Sequence, residues 1–368
     1  MREPEEFSEL APIGGVTTVF YDNDRKTFSI GWRAEFNEGK TVIHGMAITL
    51  SGYILGYQEI GGIDRREKPV DMDFMVLMSS DSEGMFGRVC PLCKSEFRST
   101  YSGVLIYCPY CGLQNRLERF ITDNQINYLE RVRQLVIEAI NEKESRELDL
   151  DEIINDLPKN KSRPSYLIVE NRQQSIYECV GCSEKYDVIG EYGSCPKCGM
   201  LNAEDLVNKK FNALIQKLNR EVENLRINPE DIPDTYLSQS VSIFEAMAGF
   251  VRDRLAMLPM YPNRRKEVKR LSFQRIDDAV SNLTDWFGFD IQKSIKIEDK
   301  DFVSKMFLRR HLFIHNNGQV DEEYQKKAND PTVKLRQKLK VQQSEIKRLS
   351  KLLRVSCRNL VASYESFD

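Results

Sequence analysis

The sequence predicts an α+β multidomain protein: a small N-terminal β-rich module, two ribbons each closed by four cysteines, and a C-terminal all-α bundle. Three observations carry this. β-branched and aromatic runs alternate with turn residues over residues 16–78, eight of the nine cysteines fall in four Cys-x-x-Cys pairs, and from Asn202 onward apolar residues recur at three- and four-residue steps. The 368 residues, 41% hydrophobic and 30% charged, fit a soluble chain of two or three domains. The longest apolar stretch, Thr41–Tyr57, is interrupted by His44, Gly45, Ser51 and Gly52, and Met1–Leu10 places Glu3, Glu5, Glu6 and Glu9 ahead of any apolar run. Neither a membrane span nor a secretory signal is expected, and a cytoplasmic location is.

Residues 1–84 form the β-rich module, with strands expected at Val16–Tyr21, Phe28–Phe36, Thr41–Leu50, Tyr53–Ile60 and Phe74–Met78, and clear turns at Asp22-Asn23-Asp24 and Asn37-Glu38-Gly39. It holds no catalytic constellation, and His44 reads as a packed or solvated strand residue. The first ribbon covers residues 85–117. Residues 118–165 are a helical connector and linker: Ile126, Leu129, Val132, Val136 and Ile140 mark a helix with Thr122 or Asp123 as N-cap, Leu150, Ile153, Ile154 and Leu157 mark a shorter one, and Pro158–Pro164 reads as linker. The second ribbon covers 166–203.

Residues 204–368 predict a four- or five-helix bundle. Asn202 can cap a helix carrying Val207, Phe211, Leu214 and Leu218. A second carries Ile243, Phe244, Met247, Phe250 and Val251 and stops at Pro259. A third follows Ser272 and ends near Gly288. A fourth carries Phe302, Met306, Phe307 and Phe313 and breaks at Asn316-Asn317-Gly318. The last, from about Pro331, has Leu335, Leu339, Ile346, Leu349 and Leu353 at near-heptad spacing, interrupted by Gln342.

The pairs Cys90/Cys93, Cys108/Cys111, Cys179/Cys182 and Cys195/Cys198 read as metal ligands, since a structural zinc takes four thiolates and each Cys-x-x-Cys supplies two from one tight knuckle. Fourteen residues separate the first two pairs and 12 the last two, both suited to a ribbon hairpin. Other pairings, such as first with fourth, are open, but 67 residues lie between Cys111 and Cys179. Closing that loop costs roughly 1 kcal/mol more than closing the local ones. Two structural Zn2+ per chain are expected, with no role in catalysis because four thiolates leave no position for water. Arg98, Arg116, Arg119, Lys185 and Lys197 on the ribbons could meet phosphate or simply form a solvated rim.

The net charge of −3 conceals an uneven spread: residues 332–358 hold nine Lys/Arg against Glu345 alone. Two of the three histidines, His311 and His315, lie close together with Arg309 and Arg310. On a regular helix, residues five apart stand about 140° from one another around the axis, so Arg310 and His315 would not share a face, whereas His311 and His315 would. A helix ending at His315, or a second copy of the chain across a two-fold axis, would bring Arg310 and His315 together.

The stretch Phe307-Leu308-Arg309-Arg310-His311-Leu312-Phe313-Ile314-His315-Asn316-Asn317-Gly318-Gln319-Val320-Asp321, with the helices before it, resembles the Arg-x(4–6)-His region of HEPN domains of prokaryotic defence and toxin systems. The resemblance covers about residues 204–330. It implies a HEPN-like bundle and a homodimer with a metal-independent endoribonuclease site at its interface, although other members of that superfamily only bind or dimerise. Histidine takes and gives protons near neutral pH, and a guanidinium stabilises a pentacoordinate phosphate. His315 is therefore the expected base or acid and Arg310 the transition-state stabiliser. Asn316 could orient the imidazole or bind phosphate, Glu245 or Arg252 could complete the cleft, and His311 and Arg309 are secondary candidates. A purely structural role is open too, with His315 capping its helix and Arg310 paired to an acid.

The leading expectation is an endoribonuclease effector of defence or toxin type, acting on RNA, with a protein sensor or antidote as a further partner. The alternative is a non-catalytic zinc-ribbon nucleic-acid-binding or adaptor protein that dimerises through the bundle and binds through its ribbons and basic tail.

Overall fold

A computed structural model describes residues 14–34, 42–60, 73–80, 84–157, 174–224, 226–328, 330 and 332–367. The turn expected at Asn37-Glu38-Gly39, the linker Pro158–Pro164 and the acidic start of the chain lie outside these residues. The chain divides into two compact units, residues 1–200 and 201–368. No helix among the described residues is long and apolar enough to cross a membrane.

The first unit is β-rich, as its β-branched runs predict. β1 (Gly15–Asp22) and β2 (Thr27–Ala34) form an antiparallel hairpin. Its turn closes where Asp22 Oδ1 accepts hydrogen bonds from the Asp24 and Arg25 amides at 2.9 and 3.0 Å. β3 (Ile43–Thr49) is the centre of a second sheet between β4 (Ile54–Ile60) and β5 (Asp73–Ser79). β6 (Phe86–Val89), β7 (Glu96–Ser99), β8 (Leu105–Tyr107) and β9 (Gln114–Arg116) make the first ribbon.

α1 (Asp123–Glu142) follows, opened by a capping box between Thr122 and Gln125. This helix ties the unit together: Tyr128 donates to the Leu77 carbonyl at 2.8 Å, Gln125 to the Gly87 carbonyl at 3.1 Å and Arg133 to the Leu50 carbonyl at 2.7 Å. β10 (Arg146–Asp149) then returns to pair with β1, and Asp149 caps α2 (Leu150–Asp156) through the Asp151 and Glu152 amides. β11 (Gln174–Glu178) and β12 (Lys185–Ile189) belong to the second ribbon.

His44 is packed, 1% exposed, with its ring 3.7 Å from that of Phe86. Burial, and secondarily the Arg88 charge, push its imidazole down to about 2. In the unfolded chain it titrates near 6.5, so as pH falls below 6.5 the unfolded state takes up a proton that the folded state refuses. Stability is complete above pH 6.5 and declines toward acid. Acidifying from pH 7 to 5 should cost the first unit about 2 kcal/mol, read by denaturant unfolding followed through Trp32. His44→Gln should flatten that slope, and an unchanged slope would exonerate this imidazole.

The second unit is helical. α3 (Ala203–Glu223) begins after Asn202, which occupies the N-cap position without a side-chain capping bond. α4 (Thr235–Leu255) is the central helix, packing against α3, against α7 (Ile297–Asn316) and against α9 (Gln343–Glu365). Val241, Phe244, Met247, Ala248 and Val251 bury one side of α4, and Phe244 meets Phe273 and Phe307 edge-on. α6 (Ile276–Phe287) ends at Gly288, whose φ of 74° is the left-handed cap that the sequence anticipates.

Sequence periodicity misses two short helices, α5 (Pro262–Arg270) and α8 (Glu322–Ala328). It also overextends the last one. The chain from Thr332 to Gln342 is not helical but bridges Gln319 to Lys338 and Ile232 to Val341, with Arg336 at a φ of 69°. Gln342 does not interrupt a helix; it opens α9, forming a capping box with Glu345.

Candidate functional site

The four cysteine knuckles share one local structure. In each, the amide of the first cysteine donates to the carbonyl five residues on, and the amide four residues on returns to that cysteine's carbonyl: Cys90 with Ser95 and Lys94, Cys108 with Leu113 and Gly112, Cys179 with Glu184 and Ser183, Cys195 with Met200 and Gly199. The turn needs a left-handed residue, and φ is 60° at Lys94, 75° at Gly112, 57° at Ser183 and 77° at Gly199. Glycine adopts this freely, whereas Lys94 and Ser183 each hold it at a cost of about 1 kcal/mol.

The knuckles assemble into two local quartets, Cys90/Cys93/Cys108/Cys111 and Cys179/Cys182/Cys195/Cys198, with every sulfur in a quartet within 4.8 Å of the others. Sulfurs lie 3.5 Å apart for Cys90–Cys111 and Cys182–Cys195, and 3.6 Å for Cys93–Cys108 and Cys179–Cys198. Four thiolates around an ion at about 2.3 Å have edges of about 3.8 Å, so both quartets could hold a structural metal ion. Burial raises the Cys195 thiol and lifts Cys198 to about 11. At Cys195 and Cys198 the thiolate form therefore calls for a cation beside it.

The ribbons are not separate beads. β7 pairs antiparallel with β12, giving one sheet in the order β11-β12-β7-β6. Arg98 lies opposite Asp187 across that seam, its Nε 2.5 Å from Oδ2 and its amide 2.6 Å from Oδ1, with both side chains at most 2% exposed. Among the expected phosphate contacts, Arg98 is thus a buried structural partner, whereas Arg116, Arg119, Lys185 and Lys197 are exposed. Two reciprocal backbone bonds join the knuckles: Tyr107 N to the Pro196 carbonyl at 2.8 Å and Ser194 N to the Pro109 carbonyl at 2.9 Å. The Tyr110 hydroxyl spans the seam, donating to the Glu96 carbonyl at 3.0 Å and accepting from the Ile189 amide at 2.8 Å.

In the second unit, α7 stays helical past His315 to Asn316, and Asn317, at φ 47°, is its cap. Within one chain, therefore, Arg310 and His315 point to different sides. Arg310 meets Glu245 on α4, Nη1 to Oε1 at 3.4 Å and Nη2 to Oε2 at 3.3 Å, while its Nε has no hydrogen-bond partner among the described residues. Both side chains are less than one-fifth exposed. Burial raises the Glu245 carboxyl, and the Arg310 charge only partly offsets this.

His315 is exposed in the last turn, its ring centroid 4.4 Å from that of the exposed His311. Asn316 turns inward on its own loop, its Nδ2 donating to the Gln319 carbonyl at 2.7 Å. Arg252 is engaged with Asp253 and the Leu271 carbonyl. Arg309 is structural, bonded to Glu345 at 2.7 Å and Tyr324 at 3.3 Å, with Asp330 at 3.7 Å. Of the sequence-selected residues, the fold brings together Arg310 with Glu245 and His315 with His311.

The basic C-terminal stretch lies against the bundle: Arg348 pairs with Asp299 at 2.6 Å and Arg358 with Glu204 at 2.7 Å. Exposed basic residues that sequence reasoning passed over lie on α5, where the run Arg264-Arg265-Lys266-Glu267-Val268-Lys269-Arg270 carries charge but little hydrophobic periodicity; Arg265 among them is half-buried and donates to the Leu258 carbonyl at 3.3 Å. No family model matches this chain, and neither does any curated protein or solved structure.

Proposed function

We propose that the chain is a metal-independent endoribonuclease of the HEPN type, a defence or toxin effector that acts as a cytoplasmic homodimer, with zinc in both cysteine quartets as a structural ion. The observation that carries this reading is the placement on α7: an exposed His315 beside His311, and five residues before His315 an arginine held by a carboxylate on α4. Because the helix is regular through both, one chain cannot aim Arg310 and His315 at one phosphate. A second copy across a two-fold axis supplies the missing partner.

His315 takes the proton of a ribose 2′-hydroxyl. The 2′-oxygen attacks phosphorus, the bond from phosphorus to the 5′-oxygen breaks, and a proton passes to that leaving oxygen. The products are a 2′,3′-cyclic phosphate and a 5′-hydroxyl. Arg310 stabilises the pentacoordinate charge. Its pairing with Glu245 is long at 3.3–3.4 Å, so the fork can be shared with an incoming phosphate.

Labelled tRNA or total RNA incubated with the zinc-loaded protein, without added Mg2+ or Mn2+, should be cut to cyclic-phosphate ends. His315→Ala should lower the rate by about 10²–10⁴-fold. RNA left intact across all substrate classes, or cut equally fast by His315→Ala, would overturn the assignment. Mixed dimers of His315→Ala and Arg310→Ala chains should regain part of the activity if each cleft takes one residue from each copy.

A further inference from the structure

We infer that α5 is a grip for single-stranded nucleic acid, holding the phosphate backbone with Lys266, Lys269 and Arg270 and stacking a base on Tyr261. The helix places five basic residues against Glu267 alone in nine positions, and only Val268 is buried. Such a helix repels itself. Arg265 with Lys269 and Lys266 with Arg270 are like-charge pairs at i,i+4, and Lys266 with Lys269 is one at i,i+3. The helix dipole accounts for Lys269 and Arg270 in the last turn, but it disfavours Arg264 and Arg265 in the first, where no acid is present.

Among the described residues, Arg264 is the one cation of α5 with an acidic partner: it pairs with Glu267 at 2.8 Å and lies 5.0 Å over the Trp286 ring. Among the described residues, Lys266, Lys269 and Arg270 have no acidic partner, and all three are exposed. A dense row of unpaired cations on a helix that contributes one core residue attracts a polyanion, which gains by releasing its counterions there.

Tyr261 selects the class of polyanion. It sits immediately before the helix, 86% exposed, and has no part in the core. An exposed aromatic ring at the start of a basic helix suits unstacked bases, each of which presents a π face and can follow a flexible backbone around the helix, and gives nothing to a stiff duplex read through its phosphates. Four residues beyond Arg270, the chain reaches an open cleft of about 1370 Å³ lined by Gln274, Arg275, Lys300, Lys305, His311 and Arg348. Asp277, Asp278 and Asp301 line it as well, so its charge is balanced, unlike that of α5.

The inference shares with the proposed function the expectation that the chain meets RNA, but it does not need catalysis. Binding is therefore measured on the full-length His315→Ala protein, with a fluorescent uridine 12-mer and its duplex form compared over a salt series. Lys266→Glu, Lys269→Glu and Arg270→Glu combined should weaken the single strand at least about thirtyfold at low salt and reduce the salt slope by about 2. Tyr261→Ala should cost about tenfold with the slope unchanged, and 4-thiouridine crosslinks should map to the peptide spanning Tyr261–Arg270.

These surface substitutions should leave the circular dichroism spectrum as it was. Crosslinks elsewhere, equal affinity for strand and duplex, or a triple variant that binds like its parent would overturn the grip. So would loss of binding to phosphatidylserine vesicles with RNA affinity intact, which would make α5 a membrane contact. An inactive enzyme that still binds RNA through α5 refutes the nuclease reading alone.

Discussion

Stripping the metal from either cysteine quartet is expected to unfold both ribbons and leave the helical unit standing. A structural zinc contributes about 10–16 kcal/mol of folding energy, far more than the apolar cluster of the second ribbon, in which Tyr186, Val188, Cys179 and Cys195 are the buried members. Because β7 and β12 belong to one sheet, and Tyr107 and Ser194 each donate to the other ribbon's knuckle, loss of one metal removes the edge on which the other ribbon is built. Hydrogen exchange should show protection lost together over residues 84–116 and 174–200 in a chelated protein, and equally in Cys182→Ser/Cys198→Ser. Trp286 fluorescence should stay native. Retained protection in the metal-free chain would sink the structural role, as would a first ribbon unaffected by the loss of the second quartet. Metal analysis should give about two ions per chain, and a value near one would disqualify one quartet.

The second large effect is expected at the seam. Asp187→Ala should destabilise the first unit by about 3–5 kcal/mol, because it leaves the Arg98 guanidinium buried and uncompensated. Arg98→Met should cost a similar amount through the stranded carboxylate. Arg98→Met combined with Asp187→Leu should recover most of the loss, since a buried ion pair is roughly exchangeable for apolar volume. Denaturant unfolding followed through Trp32 gives the three values. Additive losses in the double variant would mean that the pair is not the unit of the interaction.

Much of this architecture is written in local patterns. The cysteine spacing leads directly to two local quartets, and the β-branched runs lead to β1 to β5 within a residue or two at most described boundaries. What the sequence hides is what local patterns cannot encode. Arg98 looks like a phosphate ligand until β12, reached almost ninety residues later, sets Asp187 against it. β10 is a four-residue strand with three charged residues, and it forms only because β1 offers a free edge. α5 contributes Val268 alone to the core, too little for a hydrophobic period to register. Leu335 and Leu339 carry the spacing of a helix, but Leu335 is exposed and only Leu339 packs, in a loop pinned by bridges to Gln319 and Ile232. At the candidate site the residue types were legible, while the division of labour was not: Arg309 and Arg310 are neighbours, and only the fold decides that one braces α9 and the other faces Glu245.

Arg98 and Asp187 each stand five residues beyond the second cysteine of their ribbon, and the residues joined by the reciprocal backbone bonds flank the third cysteine on both sides. The two halves are thus arranged as the subunits of a two-fold dimer would be, with the axis passing between β7 and β12. A true axis maps each residue onto its own copy. Two first ribbons meeting this way would bury arginine against arginine, and two second ribbons would bury aspartate against aspartate, each a dry like-charge contact. Only unlike halves can close the seam. The same pair of residues that cements a ribbon to its neighbour therefore discourages it from coupling with its own kind on another molecule.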